Sequence, residues 1–262
     1  MVKHKGKIGA NIYLVLVFIF LYAPIFALAL FSFNDSKSMA RWNGFTLKWY
    51  QQLFHNDRII SALITTVVVA ILASIIATFI GTISAIGIDR MRGAKKSLIL
   101  NLNYLPVLNP DIVTAVGLMI LFIFFNVKLG FVTMLLAHIT FNIPYVVLSV
   151  LPKLKQMPAN IEDAAMDLGA KPIYTLRKVI LPQIKPGIIS GFLIAFTMSI
   201  DDFIISFFNT GNGVTNLSIE VYSMAKRGIK PEINALSTLM FVTVLILLLL
   251  SNKKQSVVKG DN

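Results

Sequence analysis

The chain has 262 residues, of which 56% are hydrophobic and 14% charged, and its mean hydropathy is +0.77. Soluble domains are about 45–50% apolar and about 25% charged, so this composition defines a membrane protein. The absence of cysteine excludes disulfides, thiolate metal sites and cysteine nucleophiles. A net charge of +12 in so apolar a chain points to cationic loops against anionic lipid rather than to nucleic acid.

The apolar residues stand in six blocks with no large polar segment between them, leaving no room for an appended soluble enzyme. A hydrocarbon core of about 30 Å needs about 20 apolar residues per helix. Residues 12–33, 61–88, 98–125, 131–151, 186–208 and 233–250 meet that length, the last being the shortest. Lys3, Lys5 and Lys7 precede the first block, and Ala27-Leu28-Ala29 resembles a signal cleavage site. Its apolar run exceeds the roughly 7–15 residues of a signal core, so the block reads as a retained helix. Trp42 and Trp49 follow it and read as interfacial anchors or packing residues.

In the third block Pro106 and Pro110 interrupt the helix near its middle, with Asp111 directly after. A broken helix carrying a carboxylate at that depth is how transporters build midplane sites. The same residue is also placed to cap the renewed helix, and the two roles are compatible. His138 and Asn142 lie on the fourth block; His138 reads as a hydrogen-bonded packing residue or as part of a pathway. His4, His55 and His138 stand far apart and outside any metal-ligand spacing.

The connection 152–185 is longer than two neighbouring spans require. Asn160 can cap a helix over 161–168, Glu162 and Asp163 suit its positive end, and Gly169 suits a left-handed stop. Pro172 opens a second short helix reaching Val179, with Arg177 and Lys178 in its last turn and Leu181-Pro182 ending it. This helix–turn–helix either receives a partner, with small Ala164 and Ala165 permitting close approach, or packs on its own spans.

In the fifth block Asp201 and Asp202 lie about 10 Å inside one end at 1.5 Å per residue. An aspartate near mid-bilayer costs about 2.5–3.5 kcal/mol, so an interior, hydrated or paired position is required and a functional role is the default. Ser199, Asp202 and Ser206 share one helical face, whereas Asp201 lies about 100° round from Asp202. One carboxylate is expected to face a pathway and the other to accept hydrogen bonds from a partner subunit. The polar tail 251–262 is expected to be disordered. With the amino terminus inside, 16 of the 24 Lys and Arg fall in cytoplasmic segments. That bias places both termini in the cytoplasm.

The 152–185 loop resembles the EAA loop of binding-protein-dependent ABC importer permeases: Glu-Ala-Ala, three residues, Gly, nine residues, Ile-x-Leu-Pro. Here it stands as Asp163-Ala164-Ala165, Gly169 and Val179-Ile180-Leu181-Pro182. Asp163 replaces Glu (with Glu162 beside it) and Val179 replaces Ile. Further motifs resemble the spermidine/putrescine branch of that family. They are Tyr22-Ala23-Pro24, Ser32-Phe33-Asn34, Gly44-Phe45-Thr46-Leu47-Lys48-Trp49-Tyr50, Pro110-Asp111-Ile112-Val113, His138-Ile139-Thr140-Phe141 and Ser199-Ile200-Asp201-Asp202.

The resemblance implies an all-α, single-domain polytopic permease with six transmembrane helices and the type I importer (MetI-like) fold, in a bacterial plasma membrane. It implies a second permease subunit, two cytoplasmic ATPase subunits and an extracellular polyamine-binding protein. Glu162, Asp163, Ala164, Ala165, Asp167 and Gly169 would couple to the ATPase. Asp111, Asp201, Asp202 and His138 are the candidates for the substrate pathway, where carboxylates suit a polycation. Gly93-Ala94-Lys95-Lys96-Ser97 lacks the Gly-Lys pair of a phosphate-binding loop, so no cofactor is expected here and ATP belongs to the partner. The chain is then not an enzyme by itself. The alternatives are a permease of the same architecture for an amino acid, thiamine or iron, and a proton-coupled secondary transporter.

Overall fold

A computed structural model describes residues 5–36, 41–158, 160–227 and 231–259; Lys3, His4 and the last residues of the tail lie outside them. Among the described residues the structure is helical apart from an isolated β-bridge, Asn34 to Phe45. The chain forms two compact units, residues 1–60 with 220–262, and residues 61–219.

In the first unit α1 (Lys5–Phe31) occupies the first apolar block, and no residue from Asn11 to Phe31 is buried. An apolar helix with so much of its surface exposed within its own chain offers a face for lipid or another subunit. Behind it the chain folds into an elbow. Asn34 donates to Arg41 O at 2.7 Å and accepts from Asn43 N at 2.9 Å. Phe33 stacks on Phe45 at 5.3 Å, and Lys48 pairs with Asp35. Trp49, on α2 (Lys48–Phe54), is buried and donates its indole N–H to Asn34 O at 2.8 Å, so it is a packing residue; Trp42 is half exposed. α12 (Pro231–Lys259) packs on α1 and α2. It continues through Ser251 to Lys259, where a disordered tail was expected: that stretch holds no Gly or Pro before Gly260, so nothing in it breaks a helix already begun.

The second unit is built on α6 (Phe131–Lys155), whose buried residues run along its length. Its main partner is α9 (Leu181–Asp201). Gly187, Gly191, Ala195 and Ser199 recur every fourth residue on α9 and all are buried. A Cβ on Gly187 would stand 2.9 Å from Ser149 O, and one on Gly191 3.2 Å from Val146 Cγ1. On α3 (Asp57–Arg90) Gly81 meets the same helix, 2.7 Å from Val146. Two helices therefore approach α6 through faces of small residues, the packing mode membranes favour. Val146, Val147, Val150, Ile184 and Ala195 fill the core between them.

One expectation about the spans holds and two need correction. The third block is broken near its middle, as its two prolines predict: α4 (Gly93–Leu108) and α5 (Asp111–Phe124) meet at 106°. Pro110 stands extended (φ −56°, ψ 138°) and does the breaking, while Pro106 stays inside α4. Leu181-Pro182 does not end the second loop helix. α8 (Pro172–Thr175) passes into one π turn (Leu176–Ile180) and then into α9, giving a continuous 30-residue helix, Pro172–Asp201. Pro182 has no N–H for the carbonyl four residues back, and the extra residue of the π turn, with Leu181 N–H reaching Leu176 O, absorbs that mismatch. The fifth block does break, after Asp201, and resumes as α10 (Ile204–Asn209).

Four helices among the described residues are long and apolar enough to cross a membrane, and the bent α4–α5 pair adds a fifth if its two arms form one span. The sixth block lies on α12, where the side chains of residue 244 and of 247 onward are outside those described.

Candidate functional site

The break in the fifth block is made by Asp202. Its backbone turns out of the helix at ψ 129°, and its carboxylate then accepts Ile205 N–H at 3.1 Å and Ser206 N–H at 2.8 Å. These are the orphan donors of a helix start, so Asp202 ends α9 and caps α10 in one move. His138 of α6 is buried, with Nε2 2.9 Å from Ser206 Oγ and 3.5 Å from Asp202 Oδ2. Asn216 donates to Ser206 Oγ at 2.7 Å and to Asp202 O at 3.1 Å, and Asn142 donates to Ser199 Oγ at 2.7 Å. The Ser199–Asp202–Ser206 stripe thus faces α6 of its own chain. The hydrogen bonds to Asp202 come from within the chain, where a partner subunit was expected to supply them for one of the two aspartates.

Asp201 points elsewhere. Its side chain is exposed, on the α9 face that also exposes Ile194 and Thr197, and its backbone carbonyl accepts Ser218 Oγ at 3.4 Å. Asp111 is the exposed first residue of α5, where its charge favours the helix start although no side-chain hydrogen bond caps that end. Of the four pathway candidates, His138 and Asp202 are brought into contact, Asp201 adjoins them on an outward face, and Asp111 opens α5.

The loop carries α7 (Ile161–Asp167), four-residue α8 and the π turn. Asn160 occupies the cap position, but its side chain makes no capping bond; only its carbonyl is used, by Ala164 N–H at 2.9 Å. Gly169 adopts φ +86°, and Gly169 N–H to Met166 O with Ala170 N–H to Ala165 O closes a Schellman motif. Asp163, Ala164, Met166, Asp167 and Leu168 are exposed, while Ile161, Glu162 and Ala165 are half-buried, and Glu162 pairs with Arg90. Leu168 is 90% exposed, Ile173 68% and Tyr174 57%, an apolar cluster on a short polar loop.

Sequence reasoning missed three kinds of residue. Met166, Leu168, Ile173 and Tyr174 are apolar in a segment read for its charges. Asn209 and Asn216 are buried amides flanking the break; Asn209 donates to Ala115 O at 3.2 Å. Within the first unit Glu220, on α11 (Leu217–Lys226), is buried and paired with Arg58 at 3.3 Å and Arg227 at 3.5 Å.

The fold and these features define a polytopic helical membrane protein with an exposed short-helix pair between two spans. The chain belongs to the family described as binding-protein-dependent transport system inner membrane component, which matches residues 77–252. It is 39% identical to the spermidine/putrescine transport system permease protein PotC of Haemophilus influenzae, over 92% of this chain and 94% of that one. Identity is 37% to PotC of Escherichia coli K12, covering 94% and 93%, and 38% to the putrescine transport system permease protein PotI of the same strain, covering 88% and 85%. Among solved structures, a bacterial ABC transporter importing the polysaccharide alginate superposes with TM-score 0.74 at 15% identity, covering 97% of this chain and 96% of that one. An amino acid ABC transporter superposes with TM-score 0.57 at 21% identity, covering 80% and 99%. The fold is that of ABC importer permeases, and this chain is such a membrane component.

Proposed function

We propose that this chain conducts spermidine and putrescine as one of two permease subunits of an ATP-driven importer. The observation that carries the substrate class is the exposed Asp201 carboxylate where a membrane span breaks, in a chain whose near-full-length relatives are named polyamine permeases. An anion on an apolar exposed face needs water or a cation beside it, and a polyamine supplies the cation. Asp111 is a second such group; Asp202 and His138 hold the break that presents Asp201. The exposed apolar side of α1 suits lipid and the second permease subunit.

On the cytoplasmic side the exposed face of α7, with Leu168, Ile173 and Tyr174, suits a groove on each of the separate ATPase subunits that bind and hydrolyse ATP. The Lys and Arg distribution supports both termini in the cytoplasm and an extracellular polyamine-binding protein opposite. ATP-driven closure of the ATPases would move α7 and rock the spans between outward and inward access.

The test is radiolabelled spermidine and putrescine uptake in cells whose only polyamine permease contains this chain. Asp201→Asn is expected to lower uptake at least about tenfold, the loss of one charge-assisted contact, with Asp201→Glu retaining most of it. Unchanged uptake in Asp201→Asn, Asp202→Asn and the double variant would remove the pathway assignment. Saturable uptake of an amino acid or thiamine in place of polyamine would overturn the substrate class.

A further inference from the structure

We infer that the Arg90–Glu162 ion pair is a mechanical link of the loop to α3, separate from the chain connections of α7 to α6 and to α9. This inference rests on the reading of α7 as the ATPase-docking helix. It starts from Glu162, which the loop motif would count as a docking residue. In the structure Glu162 turns away from the exposed side of α7, is half-buried, and pairs with Arg90, 72 residues earlier, at the last position of α3.

The corner that presents Arg90 is itself fixed. Lys96, on the first turn of α4, donates to Asp89 O at 2.9 Å, satisfying a terminal carbonyl of α3, and its ammonium lies 3.7 Å from the Asp89 carboxylate. The turn between α3 and α4 passes through Gly93 at φ +63°, where a side chain would be strained. Arg90 therefore projects from a braced joint.

Beside the pair is a pocket of about 90 Å³ whose lining includes Ile86, Leu154, Met157, Ile161 and Ile180. Arg90 and Glu162 both border this space between α7 and the end of α3. The attachment there includes a charge-assisted hydrogen bond from Arg90 Nη2 to Glu162 Oε1, between an exposed guanidinium and a half-buried carboxylate. The other routes from α7 follow the chain, back to the end of α6 and forward through α8 and the π turn into α9, the latter containing a widened turn. Displacement of α7 thus reaches α6 and α9 along the chain and α3 through one ion pair. Arg90 is a positioning residue of the transport cycle and touches neither substrate nor nucleotide.

The test uses the whole transporter in lipid vesicles, reading ATP hydrolysis and spermidine uptake together. Glu162→Arg or Arg90→Glu alone is expected to lower uptake per ATP hydrolysed at least about fivefold, the lower range of a coupling interaction, while the ATPases still co-purify. The exchanged pair R90E/E162R is expected to recover most of the loss. Because the chain has no cysteine, R90C/E162C gives a second, fold-independent reading. Bridging the two thiols with a short bifunctional reagent should raise uptake per ATP above that of the same protein unbridged. Unaltered coupling in both single variants, or no gain from both the exchange and the bridge, would overturn the link. The docking reading fails separately: if Ala164→Arg, on the exposed face of α7, leaves ATPase co-purification intact, α7 is not the docking helix.

Discussion

Asp201 and Asp202 are identical side chains on adjacent residues, and one change of ψ sends them to different surroundings. Asp202 spends its carboxylate on two backbone N–H groups and lies beside His138, whereas Asp201 keeps its carboxylate on the exposed face. The two substitutions should therefore separate stability from transport. Asp202→Ala removes the α10 cap and is expected to cost about 0.5–2 kcal/mol, with Asp202→Asn or Asp202→Ser recovering most of it. Asp201→Asn should leave the unfolding midpoint of the detergent-solubilised protein where it was. Equal midpoints for Asp202→Ala and the parent would show that the cap carries no stability. The carboxylates were legible in the sequence because a charge inside an apolar run is conspicuous. The break was not, because residues 199–206 contain no Gly or Pro. It arises when a short acidic side chain competes with the helix for its own N–H groups, and that competition is decided by the tertiary partners His138 and Asn216.

At the scale of elements, proline was the least reliable signal. Pro24, Pro144, Pro152 and Pro186 all sit inside helices, Pro182 is absorbed by a π turn, and Pro110 alone among these separates two helices. In an apolar span the freed carbonyl is satisfied locally, so proline terminates a helix only where the following segment has somewhere else to pack. The glycines carry more information than their sequence suggests. Gly187→Val and Gly191→Leu must push α9 off α6, since their Cβ atoms meet Ser149 O and Val146, and overpacking of this kind costs about 1–3 kcal/mol. Both variants are expected to show a lowered unfolding midpoint and reduced abundance in the membrane. Gly87→Ala is the control: its Cβ meets nothing within 4 Å and helix propensity favours alanine, so it should be neutral or slightly stabilising. If Gly191→Leu behaved like Gly87→Ala, the small-residue face of α9 would not be what sets its distance from α6.

For the whole molecule, the family and the helical fold were legible from block lengths and from one loop motif, because both follow from bilayer thickness and from a fixed spacing. Sidedness is a different kind of property, set by loop charge during insertion rather than by packing, so the arrangement of helices alone does not carry it. The absence of cysteine makes it directly measurable. Lys95, in the first turn of α4, and Asn126, in the turn after α5 at φ 55°, flank the bent pair from its two ends. If the pair crosses the membrane once despite its 106° bend, Lys95→Cys and Asn126→Cys should react with an impermeant thiol reagent from opposite sides. The cationic Arg90–Lys96 end should be protected in intact cells and labelled only in inverted vesicles. Labelling of both positions from one side would make the pair a re-entrant loop, and both ends of the chain could not then share the cytoplasm unless another block also failed to cross. The same two cysteine variants therefore decide the orientation of the pair and whether it crosses, and an even count of spans is what returns the carboxyl terminus to the side of the amino terminus.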